Sequence, residues 1–129
     1  MENSILKSTK KILGLADDYD VFDLDIITHI NTAFSTLYQL GVGPSDGFAI
    51  EDETPTWDDF IDGDISIVNA CRTYVYLRVR LLFDPPPTSF ALASMKEQLT
   101  EYEWRISVLR EQASWIDPTL TTEVVDYGV

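Results

Sequence analysis

Residues 22–40, which read FDLDIITHINTAFSTLYQL, set the fold class of this chain. Apolar side chains recur in this stretch every three or four positions, and polar side chains fill the other side. Such spacing is typical of an amphipathic α-helix with one buried face. Asp23 and Asp25 suit the positive end of that helix at its start, and Gly41 followed by Pro44 ends it.

Three further stretches predict helices on the same grounds. Ser4 can cap a short helix that runs through Leu13, and helical spacing also covers residues 64–83 and 89–116, the last with Ser89 as its cap. Prolines end both of the later helices. The apolar stripe predicted for residues 64–83 consists of Ile65, Val68, Cys71, Val75, Val79 and Leu82. It is widened almost all the way round by Tyr74, Tyr76, Leu77, Leu81 and Phe83, which predicts a helix that is central in its bundle or in its assembly. We therefore predict an all-α protein, a small bundle of about four to five helices.

Residues 41–64 are a long connection punctuated by glycine and proline. Residues 48–50 are a candidate brief strand, and Thr56 is a candidate cap for a single helical turn. The apolar side chains in this connection argue against disorder, so we interpret it as a structured protrusion that packs on a neighbouring chain. The candidate subunit-interface residues are Phe48, Ile50, Trp57 and Phe60.

Residues 117–129 have a strand-like composition, but the chain offers no second strand for them to pair with. We therefore expect this extended C-terminal tail to dock on a partner chain. The candidate docking residues are Val124, Val125 and Tyr127. The predicted organisation is a helical domain over residues 1–116, with the loop protrusion at 41–64, followed by the tail.

The charge of the chain is strongly negative and unevenly distributed. Its 129 residues contain 9 Lys and Arg against 22 Asp and Glu, a formal net charge of −13. Residues 12–71 contain no Lys or Arg and more than half of the carboxylates. This balance excludes a protein that grips nucleic-acid phosphates by charge. It fits either a solvated acidic face or a surface that repels a polyanion.

The residues that could carry chemistry form no catalytic constellation. The single cysteine, Cys71, reads as a buried apolar residue, and the single histidine, His29, reads as a surface residue. Residues 58–64 suggest a calcium loop, but Phe60 falls on a ligand position and Asn69 stands where the closing Glu belongs. Phosphate-binding glycine motifs are absent. We predict that the chain is not an enzyme and needs no metal or other cofactor.

The sequence also lacks the usual signs of membrane targeting. No apolar run approaches the ~20 residues of a membrane span, and the start has no basic flank and long apolar stretch of a signal peptide. We therefore expect no membrane partner and assembly in the cytoplasm.

Four segments, taken in order, carry a resemblance to a known family. They read SILKSTKKILGL (residues 4–15), FDLDIITHINTAFSTLYQLGVGP (22–44), TWDDF (56–60) and YVYLRVRLLFDPP (74–86). In this order and spacing they resemble the head-to-tail connector, or adaptor, proteins of long-tailed double-stranded DNA bacteriophages. The likeness runs from about Ser4 to Arg110.

The resemblance implies a structural virion protein of the phage neck. Members of that family are small all-helical subunits that assemble beneath the portal as a homo-oligomeric ring of about twelve copies, a dodecamer. They extend the DNA channel and offer a platform for the next neck protein. The implied partners are further copies of the chain, the portal protein and a stopper or tail-completion protein, while double-stranded DNA passes through without specific binding.

An acidic wall suits such a channel, because it does not bind the phosphates of DNA that must slide past it. The candidate channel-lining residues are Asp17, Asp18, Asp20, Asp23 and Asp25, with the carboxylates of the 41–64 connection as the alternative.

Three other interpretations remain open at this stage. The nearest is a stopper or tail-completion protein, a class that tends to be richer in strands. An acidic DNA-mimic inhibitor shares the charge, but it needs carboxylates along most of the molecule, whereas the last predicted helix is nearly neutral. A metal-dependent hydrolase with paired aspartates is the third, although nothing in the sequence selects a pair.

Overall fold

The computed structural model describes residues 3–61 and 63–114 of the chain, with side chains described as far as residue 112. Five helices follow one another in these residues. They are α1 (Ile5–Ile12), α2 (Asp23–Gln39), α3 (Trp57–Phe60), α4 (Ile65–Phe83) and α5 (Ser89–Ser114). The predicted all-α fold is confirmed, and none of the described helices is both long and apolar enough to cross a membrane.

The short strand predicted at residues 48–50 is wrong. Within the described residues the extended pairing is limited to an isolated antiparallel bridge between Ser4 and Thr56. The backbone of Ile50 instead pairs with a side chain of α2: its N–H donates to Asn31 Oδ1 at 2.8 Å, and its carbonyl accepts from Asn31 Nδ2 at 3.0 Å. Because one asparagine satisfies both backbone groups, this part of the connection needs no strand partner.

The core lies along α4, which packs against both α2 and α5, with α1 packed on α2 and α4. The predicted buried face of α2 is confirmed, and its buried residues are Ile26, Ile30, Ala33, Phe34 and Leu37. Cys71 is fully buried, as predicted, and burial raises the pKa of its thiol to about 12.

The stripe predicted for α4 is only partly correct. Cys71, Val75 and Val79 are buried, whereas Ile65 and Leu82 at the two ends of the helix are exposed. The buried set of α4 also includes Ile67, Ala70 and Tyr74. The predicted central position of α4 is confirmed, because α1, α2 and α5 all contact it and its middle is covered on more than one side.

A polar contact joins α4 to α5 within this core. The Tyr74 hydroxyl donates to Glu103 Oε2 at 2.7 Å, and Arg78 donates to the same hydroxyl at 3.3 Å. Burial, reinforced by the hydrogen bond to the Glu103 carboxylate, raises the pKa of Tyr74 to about 12. The phenol therefore stays protonated and keeps donating at neutral pH.

Side-chain caps start α1, α4 and α5. Ser4 Oγ accepts from the Lys7 N–H at 3.2 Å, and Asp64 caps α4 by accepting from Ser66. The predicted Ser89 cap of α5 is wrong by one residue. Thr88 Oγ1 accepts from the Ala91 N–H at 3.1 Å and the Thr88 carbonyl accepts the first helical bond, so Ser89 is already inside the helix.

Candidate functional site

The carboxylates proposed from the sequence as channel-lining residues lie in the acidic segment, which we define as residues 17–25. This segment leaves α1 and enters the first turn of α2. Asp17, Asp18, Asp20 and Asp25 are exposed. Their charges therefore face the surroundings of the subunit.

Asp23 differs from the other four because a buried lysine pairs with it. Only 2% of the Lys10 side chain is exposed, and its Nζ lies 2.9 Å from Asp23 Oδ1. The same ammonium donates to the backbone carbonyl of Asp17 at 3.0 Å. Lys10 thus ties both ends of the acidic segment to α1, and Asp23 is the least suited of the five to repel a polyanion.

No role was predicted for Lys10 from the sequence. A signal was present, because Lys10 lies one helical turn after Leu6 on a helix whose buried face includes Ile5, Leu6 and Thr9. A lysine on the buried face of a helix, followed by a run of aspartates, predicts an internal ion pair.

The acidic segment also exposes apolar side chains. Val21 and Leu24 are exposed, Leu24 to 77%. Next to them, the ring of Phe22 contacts the rings of Tyr19 and Phe83 edge-on at centroid distances of 6.0 and 5.3 Å. An apolar patch rimmed by carboxylates is typical of a surface that contacts another macromolecule.

The long loop, defined as residues 41–64, places its apolar residues differently from the prediction. Ile50, Trp57 and Phe60 are buried in the core of the same chain, with Trp57 only 1% exposed. Their assignment to a subunit interface is therefore wrong: these side chains have no surface left for a neighbour. Phe48 is half-buried, with its ring 5.1 Å from that of Phe34.

Trp57 anchors the long loop to two helices. Its indole N–H donates to Ser8 Oγ on α1 at 2.9 Å, and its ring packs edge-on against Tyr76 of α4 at 5.8 Å. The guanidinium of Arg72 lies 5.2 Å from the Trp57 ring centroid. The loop is thus part of the bundle and covers the side of α1.

Backbone bonds hold the same loop against the start of α1. The Ile5 N–H donates to the Pro55 carbonyl and the Trp57 N–H to the Asn3 carbonyl, both at 3.1 Å. The Ser4 hydroxyl donates to the Glu53 carbonyl at 2.7 Å.

The described carboxylates of the long loop are all exposed: Asp46, Glu51, Asp52, Glu53, Asp58, Asp59 and Asp64. Acidic surfaces therefore flank α1 at both of its ends.

The remaining candidates add no chemical site. In residues 3–61 and 63–114, no group of three or more His, Cys, Asp and Glu side chains is placed to hold a metal ion. His29 is half-buried on α2. The docking candidates Val124, Val125 and Tyr127 lie outside the described residues.

Comparison with known proteins identifies the family. A family model described as phage connector protein matches residues 5–113, from the first residue of α1 to the last turn of α5. Searches of curated proteins and of solved structures gave no match. Because the family model covers most of the chain and all five helices, this protein belongs to the phage connector protein family.

Proposed function

We propose that the chain is a ring-forming adaptor that lies beneath the portal, extends the DNA channel and joins the head of a tailed phage to its tail. Membership of the connector family supplies the coarser part of this function, a structural role in the neck of a phage particle among portal and tail components. The ring, its position below the portal and its assembly in the host cytoplasm are the finer parts that we add.

The observation that carries the proposal is the outward placement of negative charge. Within the described residues, every carboxylate between positions 12 and 71 is exposed except Asp23, and this stretch contains no Lys or Arg. A ring multiplies the charge of each subunit by the number of copies. A channel built this way repels the phosphates of DNA, so that the genome slides through without binding.

Exposed apolar residues on separate parts of the subunit support ring formation. Leu24 lies in the acidic segment, Phe90 at the start of α5 and Trp104 in its middle, and all three are largely exposed. A closed ring of identical subunits requires one patch to meet a different patch of the next copy. Widely separated apolar sites are what such contacts need.

The proposal is tested by co-sedimenting the purified chain with purified portal rings of the same virus and imaging the fast-sedimenting fraction. A ring stacked beneath the portal is the expected result. Binding to a lower neck component in place of the portal would make the chain a stopper or tail-completion protein. Binding to neither component would overturn the adaptor proposal and favour the DNA-mimic interpretation.

The channel-lining role of the acidic segment needs a separate experiment. We compare particles carrying Asp18→Asn with Asp20→Asn against particles carrying Asp46→Asn with Glu51→Gln, since both pairs remove the same charge from exposed positions. We expect slower DNA ejection only for the first pair, because its neutral wall no longer repels phosphates. Slower ejection only for the second pair would place the long loop at the channel.

A further inference from the structure

Three helix ends lie together at one end of the bundle. The start of α2 lies beside the end of α4, because the rings of Phe22 and Phe83 contact each other at a centroid distance of 5.3 Å. α5 begins after a short connection, residues 84–88, so its first residue lies at most about 22 Å from Phe83. We define residues 17–25 together with residues 80–90 as the acidic end.

Exposed apolar side chains concentrate at the acidic end. Most of the large apolar residues that are exposed in the described chain lie there: Tyr19, Val21, Phe22, Leu24, Leu82 and Phe90. Leu24 and Phe90 are each 77% exposed. Single exposed apolar residues are ordinary on a protein surface, whereas a concentration of them marks a contact with another macromolecule.

The acidic end is held in place before any partner binds. Lys10 joins both ends of the acidic segment to α1, and the Phe22 ring packs edge-on against the rings of Tyr19 and Phe83. Consecutive prolines at residues 85–87 restrict the backbone of the connection between α4 and α5. Because a surface that is already ordered loses little conformational entropy when it binds, the acidic end is suited to docking.

The charge of the acidic end is negative. Its exposed carboxylates are Asp17, Asp18, Asp20, Asp25 and Asp84. The cations nearest to them in sequence are fewer, because Lys10 is buried against Asp23 and only Lys11 and Arg80 are exposed. The exposed apolar residues are therefore accompanied by an excess of negative charge.

This charge determines which occupant fits the acidic end. DNA and anionic lipid head groups are repelled by it. The same end of a second copy would bring identical carboxylates face to face, which like-charge repulsion opposes. The complement of an apolar surface with carboxylates is a protein segment in which Lys or Arg side chains lie beside apolar ones.

We infer that the acidic end binds such a basic, apolar segment of another protein of the phage neck. Apolar side chains of the segment pack on Leu24, Leu82 and Phe90, and its cations face Asp25 and Asp84. The contact leaves Asp17, Asp18 and Asp20 to the channel-lining role proposed above. It rests on the structural role in the phage neck, and it names the chemistry of the partner without requiring a ring.

Photo-cross-linking in assembled particles tests this contact. The cross-linking amino acid p-benzoylphenylalanine replaces Leu24 or Phe90, and the labelled chain is supplied as a minor fraction beside the unmodified chain so that assembly proceeds. Mass spectrometry then identifies the peptide attached after irradiation. We expect both positions to attach to the same protein, within a segment where Lys and Arg outnumber Asp and Glu.

Each labelled position has a matched control on its own helix. Tyr38 of α2 and Trp104 of α5 are also exposed, but neither lies at the acidic end. The same label at these two positions should not attach to the basic segment.

A second measurement tests the charge of the contact. A synthetic peptide of the attached segment is titrated into the purified full chain. Asp25→Asn with Asp84→Asn should weaken its binding about two- to tenfold, as expected for loss of two exposed ion pairs. Asp46→Asn with Glu51→Gln removes the same charge from exposed positions of the long loop and should leave the binding unchanged. Circular dichroism on each variant confirms that it folds.

Attachment of Leu24 and Phe90 to a second copy of the chain, attachment to an acidic segment, or no attachment at either position would overturn the inference. Equal weakening of peptide binding by the two charge variants would do the same. These outcomes are separate from those of the portal experiment. A ring on the portal without the cross-link defeats this contact alone, and the cross-link without a ring on the portal defeats the adaptor alone.

Discussion

The acidic segment and the long loop are similar in composition and opposite in structure. Both combine carboxylates with aromatic and aliphatic residues. The acidic segment exposes Val21 and Leu24, whereas the long loop buries Ile50, Trp57 and Phe60. Apolar residues in an acidic connection can therefore serve either the core or a contact surface, and the surrounding helices decide which.

The physical reason for the difference is the space that each connection meets. α1 has only eight residues, so it cannot cover α2 and α4 along their whole length. The long loop fills the uncovered side, where Phe60 packs on Phe34 with a centroid distance of 4.6 Å. The acidic segment turns at the end of the bundle, where the ring of Phe22 packs against the ring of Phe83 from α4.

The largest effect is expected from Trp57→Ala in the long loop. It should lower the free energy of unfolding by about 3–5 kcal/mol, because it opens a cavity in the core and leaves Ser8 without its indole donor. Urea denaturation measures this change. Trp104→Ala, the same change at an exposed position, is the control and should stay within about 0.5 kcal/mol. Equal losses would show that the loop is not core.

The next effect tests whether the acidic segment, although exposed, is held in place. Lys10→Met keeps the side-chain length but removes the cation from Asp23 and from the Asp17 carbonyl, which should cost about 3 kcal/mol. Lys11→Met, at an exposed position on the same helix, should cost at most about 0.5 kcal/mol. Thermal unfolding of both variants measures the two losses of stability. Equal losses would contradict the role of Lys10 in holding the acidic segment on α1.

A glycine just before the acidic segment and one in the long loop provide a smaller and more direct comparison. Gly14 and Gly43 both have positive φ, +81° and +98°. A Cβ at Gly43 would lie 2.6 Å from Phe60 Cε1, whereas a Cβ at Gly14 would meet nothing within 4 Å. Gly43→Ala should therefore cost about 2 kcal/mol more than Gly14→Ala, which carries the backbone strain alone. Chemical denaturation of the pair gives the difference, and similar values would indicate that the ring of Phe60 moves freely.

The smallest effect on stability is expected in the acidic segment, at the exposed residue Leu24. Leu24→Ser should change the free energy of unfolding by no more than about 0.5 kcal/mol, since Leu24 is largely exposed. It should nevertheless weaken co-sedimentation with portal rings, because the acidic segment loses its most exposed apolar side chain. Tyr38→Ser, on the same helix but outside the acidic segment, is the matched control. If both variants sediment like the unmodified chain, the apolar patch has no role in assembly.

Sequence patterns were most reliable where one local rule decided the outcome. The three-and-four spacing of α2 predicted its buried face, and Ser4 predicted the start of α1. The Thr56 turn was also correct, because the Asp59 side chain accepts from the Thr56 N–H as a capping motif requires. Exposure of Asp17, Asp18, Asp20 and Asp25 followed from their charge.

The errors arose where several elements compete for one residue. Thr88 and Ser89 are both good caps, and in the folded chain it is Thr88 that accepts from the Ala91 N–H in the first turn of α5. Trp57 suits a core and an interface equally, and its burial depends on Ser8, Arg72 and Tyr76 from two other helices. Lys10 was missed because a buried lysine is favourable only when distant backbone and carboxylate oxygens converge on it.

The sequence by itself determined that this protein is an acidic helical bundle of the phage connector family, since periodicity, caps and charge are local properties of the chain. Only the tertiary structure decided which apolar residues are core, how Lys10 holds the acidic segment, and that α1, α4 and α5 leave a groove between them. These features depend on side chains far apart in sequence meeting at one place, and a local pattern indicates at most which side chains are candidates for that meeting.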